Sequence, residues 1–133
     1  MKKSLFLLCA TIIAAFTLST TMIQADHHDE GKKMLRHVVC FKFKESATDK
    51  QLDAIVEAFA ALQKTIPSIK GFEWGTNNSP EKHDKGFTHC FILTFESEEG
   101  RAAYLPHEDH KAFGAKLGPV LEDVFVIDYW AKK

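Results

Sequence analysis

The chain has 133 residues, is 45% hydrophobic and 26% charged, and carries a formal net charge of −1 at neutral pH. That length supports one domain with one modest core. The near-balanced charge excludes the dense basic patterning that nucleic-acid binding requires.

Lys2 and Lys3 precede an apolar run from Leu5 to Phe16 and smaller residues up to Ala25. This pattern predicts a secretory signal peptide at residues 1–25, cleaved to give a periplasmic or secreted protein. The run is shorter than the roughly 20 apolar residues of a membrane span, so no membrane association is expected after cleavage. Residues 26–33 are polar and aperiodic, which predicts a disordered linker. His27 and His28 within it lack the rigid frame that a metal site needs. Residues 34–133 form the expected domain.

From Leu35 to Lys44 the sequence alternates, with Leu35, His37, Val39, Phe41 and Phe43 on one face. This predicts a strand with His37 on its apolar side. Thr48 and Gln51 have the spacing of a capping box. Leu52, Ile55, Val56, Phe59, Leu62 and Ile66 then recur at helical spacing until Pro67 stops them. Two strands are expected at 71–75 and 88–95, joined by a polar loop from Thr76 to Gly86. The second places His89, Phe91, Leu93 and Phe95 on one side. Ser97 is positioned to cap a helix through Tyr104. Pro106 lacks an amide donor, so one helical turn should end at Leu105 and another begin at His107. That second region should continue past Phe113 and Leu117 to Leu121, interrupted at Gly118-Pro119, before a last strand at 124–130.

This order is the split βαβ plan, an α+β ferredoxin-like βαββαβ sandwich with its first and third strands central. His37 and His89 then lie on neighbouring strands facing the helices. Val38, Cys40, Cys90, Ile92 and Thr94 occupy the other face, which no remaining element covers. A homodimer closed sheet to sheet is therefore expected. Cys9 leaves with the signal. The apolar contexts of Cys40 and Cys90 favour two buried free thiols, with one disulfide as the alternative.

One stretch concentrates chemistry: Tyr104 to Gly114 holds a phenol, His107, His110, Glu108 and Asp109 around the proline break. A neutral His110 would take a proton beside a carbonyl while the Tyr104 phenol hydrogen-bonds the developing oxyanion. The same pair would serve to orient a ligand, or simply hold the broken helix together. His37 and His89 offer polar contacts at the pocket wall. No haem or flavin motif and no recognised metal-ligand spacing is present, so neither cofactor nor metal is expected.

The segments Leu35 to Lys44, Ile66-Pro67-Ser68-Ile69-Lys70, Trp74-Gly75, Gly86-Phe87-Thr88-His89, Thr94-Phe95-Glu96-Ser97, His107-Glu108-Asp109-His110 and Ile127-Asp128-Tyr129 together resemble the stress-responsive A/B barrel (Dabb) family. The resemblance covers nearly all of residues 34–132 and implies a dimeric α+β barrel. The family includes plant stress proteins, bacterial proteins of unassigned role and a polyketide cyclase that works by intramolecular aldol condensation. By that resemblance, catalytic residues fall on His110 and Tyr104, and pocket residues on His37, His107, Phe113 and Gly114. Lining positions fall on Val39, Phe41, Ile55, Val56, Phe59 and Phe91. Glu108 and Asp109 replace a neutral pair of that cyclase, a change that favours imidazolium at His110. The resemblance also implies a structural magnesium on the carbonyls of Gln63, Ile66 and Ile69. The leading expectation is a homodimer that binds a small apolar or aromatic molecule. The alternatives are a cyclase-like lyase and a stress-protective dimer without a ligand.

Overall fold

The computed structural model describes residues 33–132. The expected signal peptide lies outside the described residues, as does all of the expected linker except Lys33. Seven elements follow in order: β1 (Leu35–Phe43), α1 (Asp49–Thr65), β2 (Gly71–Thr76), β3 (His89–Phe95), α2 (Glu98–Tyr104), α3 (Glu108–Leu117) and β4 (Leu121–Trp130). The strands form one antiparallel sheet in the order β2-β3-β1-β4, so the first and third are central. This is the ferredoxin-like plan read from the sequence.

Local chemistry fixes the helix ends. The Thr48 hydroxyl accepts from the Gln51 amide, and the Gln51 side chain accepts from the Thr48 amide at 2.9 Å, closing the capping box. Ser97 accepts from the Gly100 amide at 3.1 Å and starts α2. Pro106 separates α2 from α3 as expected, with Leu105 as one cap and His107 as the next.

Two boundaries differ from expectation. Gly118-Pro119 ends α3 at Leu117 rather than interrupting it, and β4 begins at Leu121 instead of Val124. The Lys44 amide donates to the Val120 carbonyl at 2.9 Å, so the end of β1 recruits these residues into the sheet. β3 begins at His89 rather than Thr88, because the Thr88 amide turns to the Phe41 carbonyl at 3.0 Å while its own carbonyl accepts from Asn77 at 2.8 Å.

The core lies between the sheet and the helices. Leu35, Val39 and Phe41 of β1 and Phe91, Leu93 and Phe95 of β3 face Ile55, Phe59 and Leu62 of α1, all buried. Phe59 is the centre of the stack, 4.4 Å from the Phe113 ring and 4.8 Å from Phe91. Each such ring contributes roughly 1.5–3 kcal/mol by leaving water. Among the described residues no element covers the opposite face: Phe125, Ile127 and Tyr129 of β4 are about half exposed. Thr94 is buried there, held by a hydrogen bond from the Arg36 guanidinium.

Candidate functional site

The pairing of β1 with β4 sets Asp128 directly opposite His37. His37 Nδ1–H donates to Asp128 Oδ1 at 2.6 Å, and Arg101, reaching from α2, donates to Oδ2 at 2.5 Å. The imidazole is buried and lies edge-on to the rings of Phe95 and Tyr104, the latter 5.7 Å away. A buried imidazole needs such a hydrogen-bond partner, and the Arg101 guanidinium holds the carboxylate in place to provide it.

Tyr104, the last residue of α2, packs its ring 4.2 Å from that of His110. The proline break accounts for the orientation of His110. In an unbroken helix the Leu105 carbonyl would accept from the Asp109 amide; here that amide donates to His107 Nδ1 at 3.2 Å. The released carbonyl accepts from His110 Nδ1–H at 2.9 Å. Both imidazoles therefore have Nδ1–H engaged, which leaves the lone pair of the neutral ring on Nε2. Burial pushes the Tyr104 phenol up from its ordinary value, so it remains a protonated hydrogen-bond donor at neutral pH.

Access to this group comes from β4. Val126 and Val124 share rungs with Val39 and Phe41, and hence the same face, yet are 49% and 44% exposed. The helices leave these valines of the edge strand uncovered. Gly114 lies one turn after His110 on α3, and a side chain built on it would meet nothing within 4 Å. Val124 and Val126 thus lie uncovered on the sheet face that also carries His37 and Asp128.

The remaining expected residues divide. Val39, Phe41, Phe59, Phe91 and Phe113 are packed against one another in the core. His107 caps α3, and its ring lies 3.8 Å from the Asp109 carboxylate. His89 shares the rung of Phe41, roughly 13 Å along the sheet from His37 at strand rise. It stacks on Trp74, and burial lowers its pKa despite Asp53. The structure does not join it to His37. Asp128 and Arg101 were missed as site residues by sequence reasoning. The available signal was an acid interrupting the apolar run of the last strand.

The implied magnesium site does not fit. The Ile66 carbonyl already accepts from the Ile69 amide at 3.0 Å, and three carbonyls bring none of the anionic charge that Mg²⁺ prefers. Among the described residues no group of three or more His, Cys, Asp or Glu is arranged to hold a metal.

Residues 35–131 match the family model of the stress responsive A/B barrel domain. The chain is 35% identical over 101 residues to the stress-response A/B barrel domain-containing protein HS1 of Arabidopsis thaliana, covering 76% of this chain and 93% of the relative. It is 29% identical to olivetolic acid cyclase of Cannabis sativa, over 74% of this chain and 98% of the cyclase. Among solved structures, the hydroxynitrile lyase of Passiflora edulis superposes with a TM-score of 0.72 at 28% identity, covering 77% of this chain and 96% of the lyase. A dimeric ferredoxin-like protein from Thermobifida fusca shares the fold at a TM-score of 0.64 and 23% identity, over 76% and 93% of the two chains.

Proposed function

The chain belongs to the stress-responsive A/B barrel family, and on that footing we propose that it is an exported homodimer that binds a small apolar or aromatic molecule in the cleft between α2–α3 and β4. The observation that carries this reading is the pair of fixed imidazoles around Tyr104 beside the uncovered valines. A planar apolar ligand would cover Val124 and Val126, while its polar group would accept from the phenol and donate to an Nε2 lone pair. Apolar walls with a few convergent polar groups are the usual composition of a small-molecule site. Dimerisation is supported by the open face, where Phe125, Ile127 and Tyr129 form a half-exposed apolar ribbon that a second sheet would cover. Export is supported by the sequence of residues 1–25.

A second reading, a cyclase-like lyase, draws on the same tautomer. With Nδ1–H held by Leu105, neutral His110 has Nε2 available to remove a proton next to a carbonyl. The Tyr104 phenol would hydrogen-bond the resulting enolate oxygen, and attack of that enolate on a second carbonyl of the same molecule would close a ring. The likeness to a cyclase and to a lyase favours this reading over one in which the dimer alone is the function.

Native mass spectrometry of protein purified from its own host tests the binding reading. The expected result is a dimer that retains a small molecule, and a His110→Ala dimer that does not. Equal retention by wild type and His110→Ala would remove the proposed site. Turnover of a linear poly-β-keto ester to a cyclised aromatic product would move the assignment from binder to enzyme.

A further inference from the structure

The open face of the sheet carries a second feature that the cleft does not use. Cys40 and Cys90 are rung partners on the two central strands, both free and both half-buried. They lie in the floor of a cavity of about 720 Å³ that Trp74, Phe87, His83 and Lys85 help to enclose. Neither residue belongs to the His37–Tyr104–His110 group.

The hydrogen-bonding pattern identifies the kind of rung. The Asn77 amide donates to the Thr88 carbonyl, and because bonded rungs recur every second residue, Cys90 turns its own amide and carbonyl toward Gly75 of β2. On a central strand alternate residues turn to its two neighbours, so Phe41–His89 is a bonded rung of the β1 side and Cys40–Cys90 is not. In a non-bonded antiparallel rung the Cα atoms approach to about 4.5 Å with side chains close together. Disulfides span Cα separations of about 4.4–6.8 Å, so the two strands need not move far to be linked. The two thiols share one sheet face on that rung, and burial first, then the neighbouring Cys90 thiol, pushes the Cys40 thiol up to about 11.

We propose that Cys40 and Cys90 form a reversible intramolecular disulfide, which makes the centre of the open face a thiol–disulfide exchange site for a small-molecule disulfide that enters the cavity. Burial, which pushes the Cys40 thiol up, makes Cys40 the second to react. Cys90 attacks as its thiolate; one sulfur of the small disulfide bonds to it and the other leaves as a thiol after taking a proton. Cys40 then gives its proton to solvent and attacks the Cys90 sulfur, expelling the second small thiol. Two protein thiols are oxidised and one external disulfide is reduced to two thiols. The product pins β1 to β3 at the middle of the sheet. In the proposed homodimer this face is covered, so exchange runs through the free protomer and slows as protein concentration rises.

The test uses the full chain carrying Cys9→Ser, equilibrated in glutathione buffers of stepped redox potential and over a range of protein concentrations. Acid-quenched intact mass, peptide mapping and a non-reducing denaturing gel report the products. The expected result is a mass lower by two hydrogens, a single Cys40–Cys90 linked peptide, a monomeric band, full reversal by thiol and a higher thermal midpoint for the oxidised form. Cys40→Ser should stop at a glutathione adduct on Cys90. Disulfide-linked dimers, adducts that never close in the parent, or thiols that persist in the most oxidising buffer would each overturn the proposal. The equilibrium extent of oxidation tests the cysteine pair, and the concentration dependence of its rate tests the cover, so the two readings fail separately.

Discussion

Val39 and Val126 are neighbours on one rung of the sheet, facing the same side, with the same side chain. One is 5% exposed and the other 49%. The next rung repeats the contrast between Phe41 at 2% and Val124 at 44%. Strand pattern cannot distinguish these positions, because alternation assigns a face and says nothing of what roofs it. The roof decides: α1 and α3 cover β3 and β1 and stop short of β4. The roofed part of the helix-side face is thus a closed core that supplies stability, and its margin on β4 is open, with His37 and Tyr104 buried beside it.

Truncation on each side of that margin should separate the two halves most clearly. Phe59→Ala removes the ring at the centre of the aromatic stack, and loss of a buried phenylalanine costs about 3–5 kcal/mol. Val126→Ala removes a half-exposed side chain, and changes at such positions stay within about 0.5 kcal/mol. Urea unfolding of both variants measures the pair. A cost for Val126→Ala near that of a core valine would show that the margin is roofed, and the cleft would be lost as a site.

Asp128→Asn sharpens the comparison at the boundary itself. His37 belongs to the closed half by burial, yet the carboxylate that anchors its Nδ1 lies on β4 in the open half. Replacing the carboxylate with an amide leaves Arg101 without its anion and lets the amide present a donor where His37 also donates. A buried polar group that loses its partner costs about 1–3 kcal/mol. The unfolding midpoint should therefore fall by less than for Phe59→Ala. The nitrogen chemical shifts of His37 should show the proton leaving Nδ1 for Nε2, a change that simple loosening of the fold would not produce. An unchanged tautomer would mean that Asp128 does not orient the ring.

The boundary is also where the sequence was least legible. The Thr48–Gln51 cap, the stripe Ile55–Val56–Phe59–Leu62 and the Pro106 break are written in neighbouring residues and were read correctly, because each depends on interactions within a few positions. The meeting of Tyr104 with His110 follows from that same break. Asp128 was different. On its own strand it looks like a solvated charge near a chain end, and its role appears only when register places it opposite a residue 91 positions away. The exposed valines were hidden for the same reason: the reach of a helix over a sheet is a tertiary quantity. His89 shows the converse, since two histidines on one predicted face suggested one site until strand rise put them at opposite ends.

A further small effect is expected at Tyr104, and its interest lies in pH. Tyr104→Phe keeps the ring in the core and should change stability at pH 7 by no more than about 1 kcal/mol. Burial raises the phenol's folded-state pKa above the ordinary value of 10.0, so above that pH the unfolded chain has lost a proton that the folded chain still holds. Folded protein then binds more protons than unfolded, and stability falls as pH rises from about 10 toward the folded value. Thermal midpoints measured from pH 8 to 11 should drop more steeply for wild type than for Tyr104→Phe, with the curves close together below pH 9. Parallel curves throughout would place the hydroxyl in water in the folded state. It would then belong to the open half of the face, and the desolvated donor on which both the binding and the lyase readings draw would not exist.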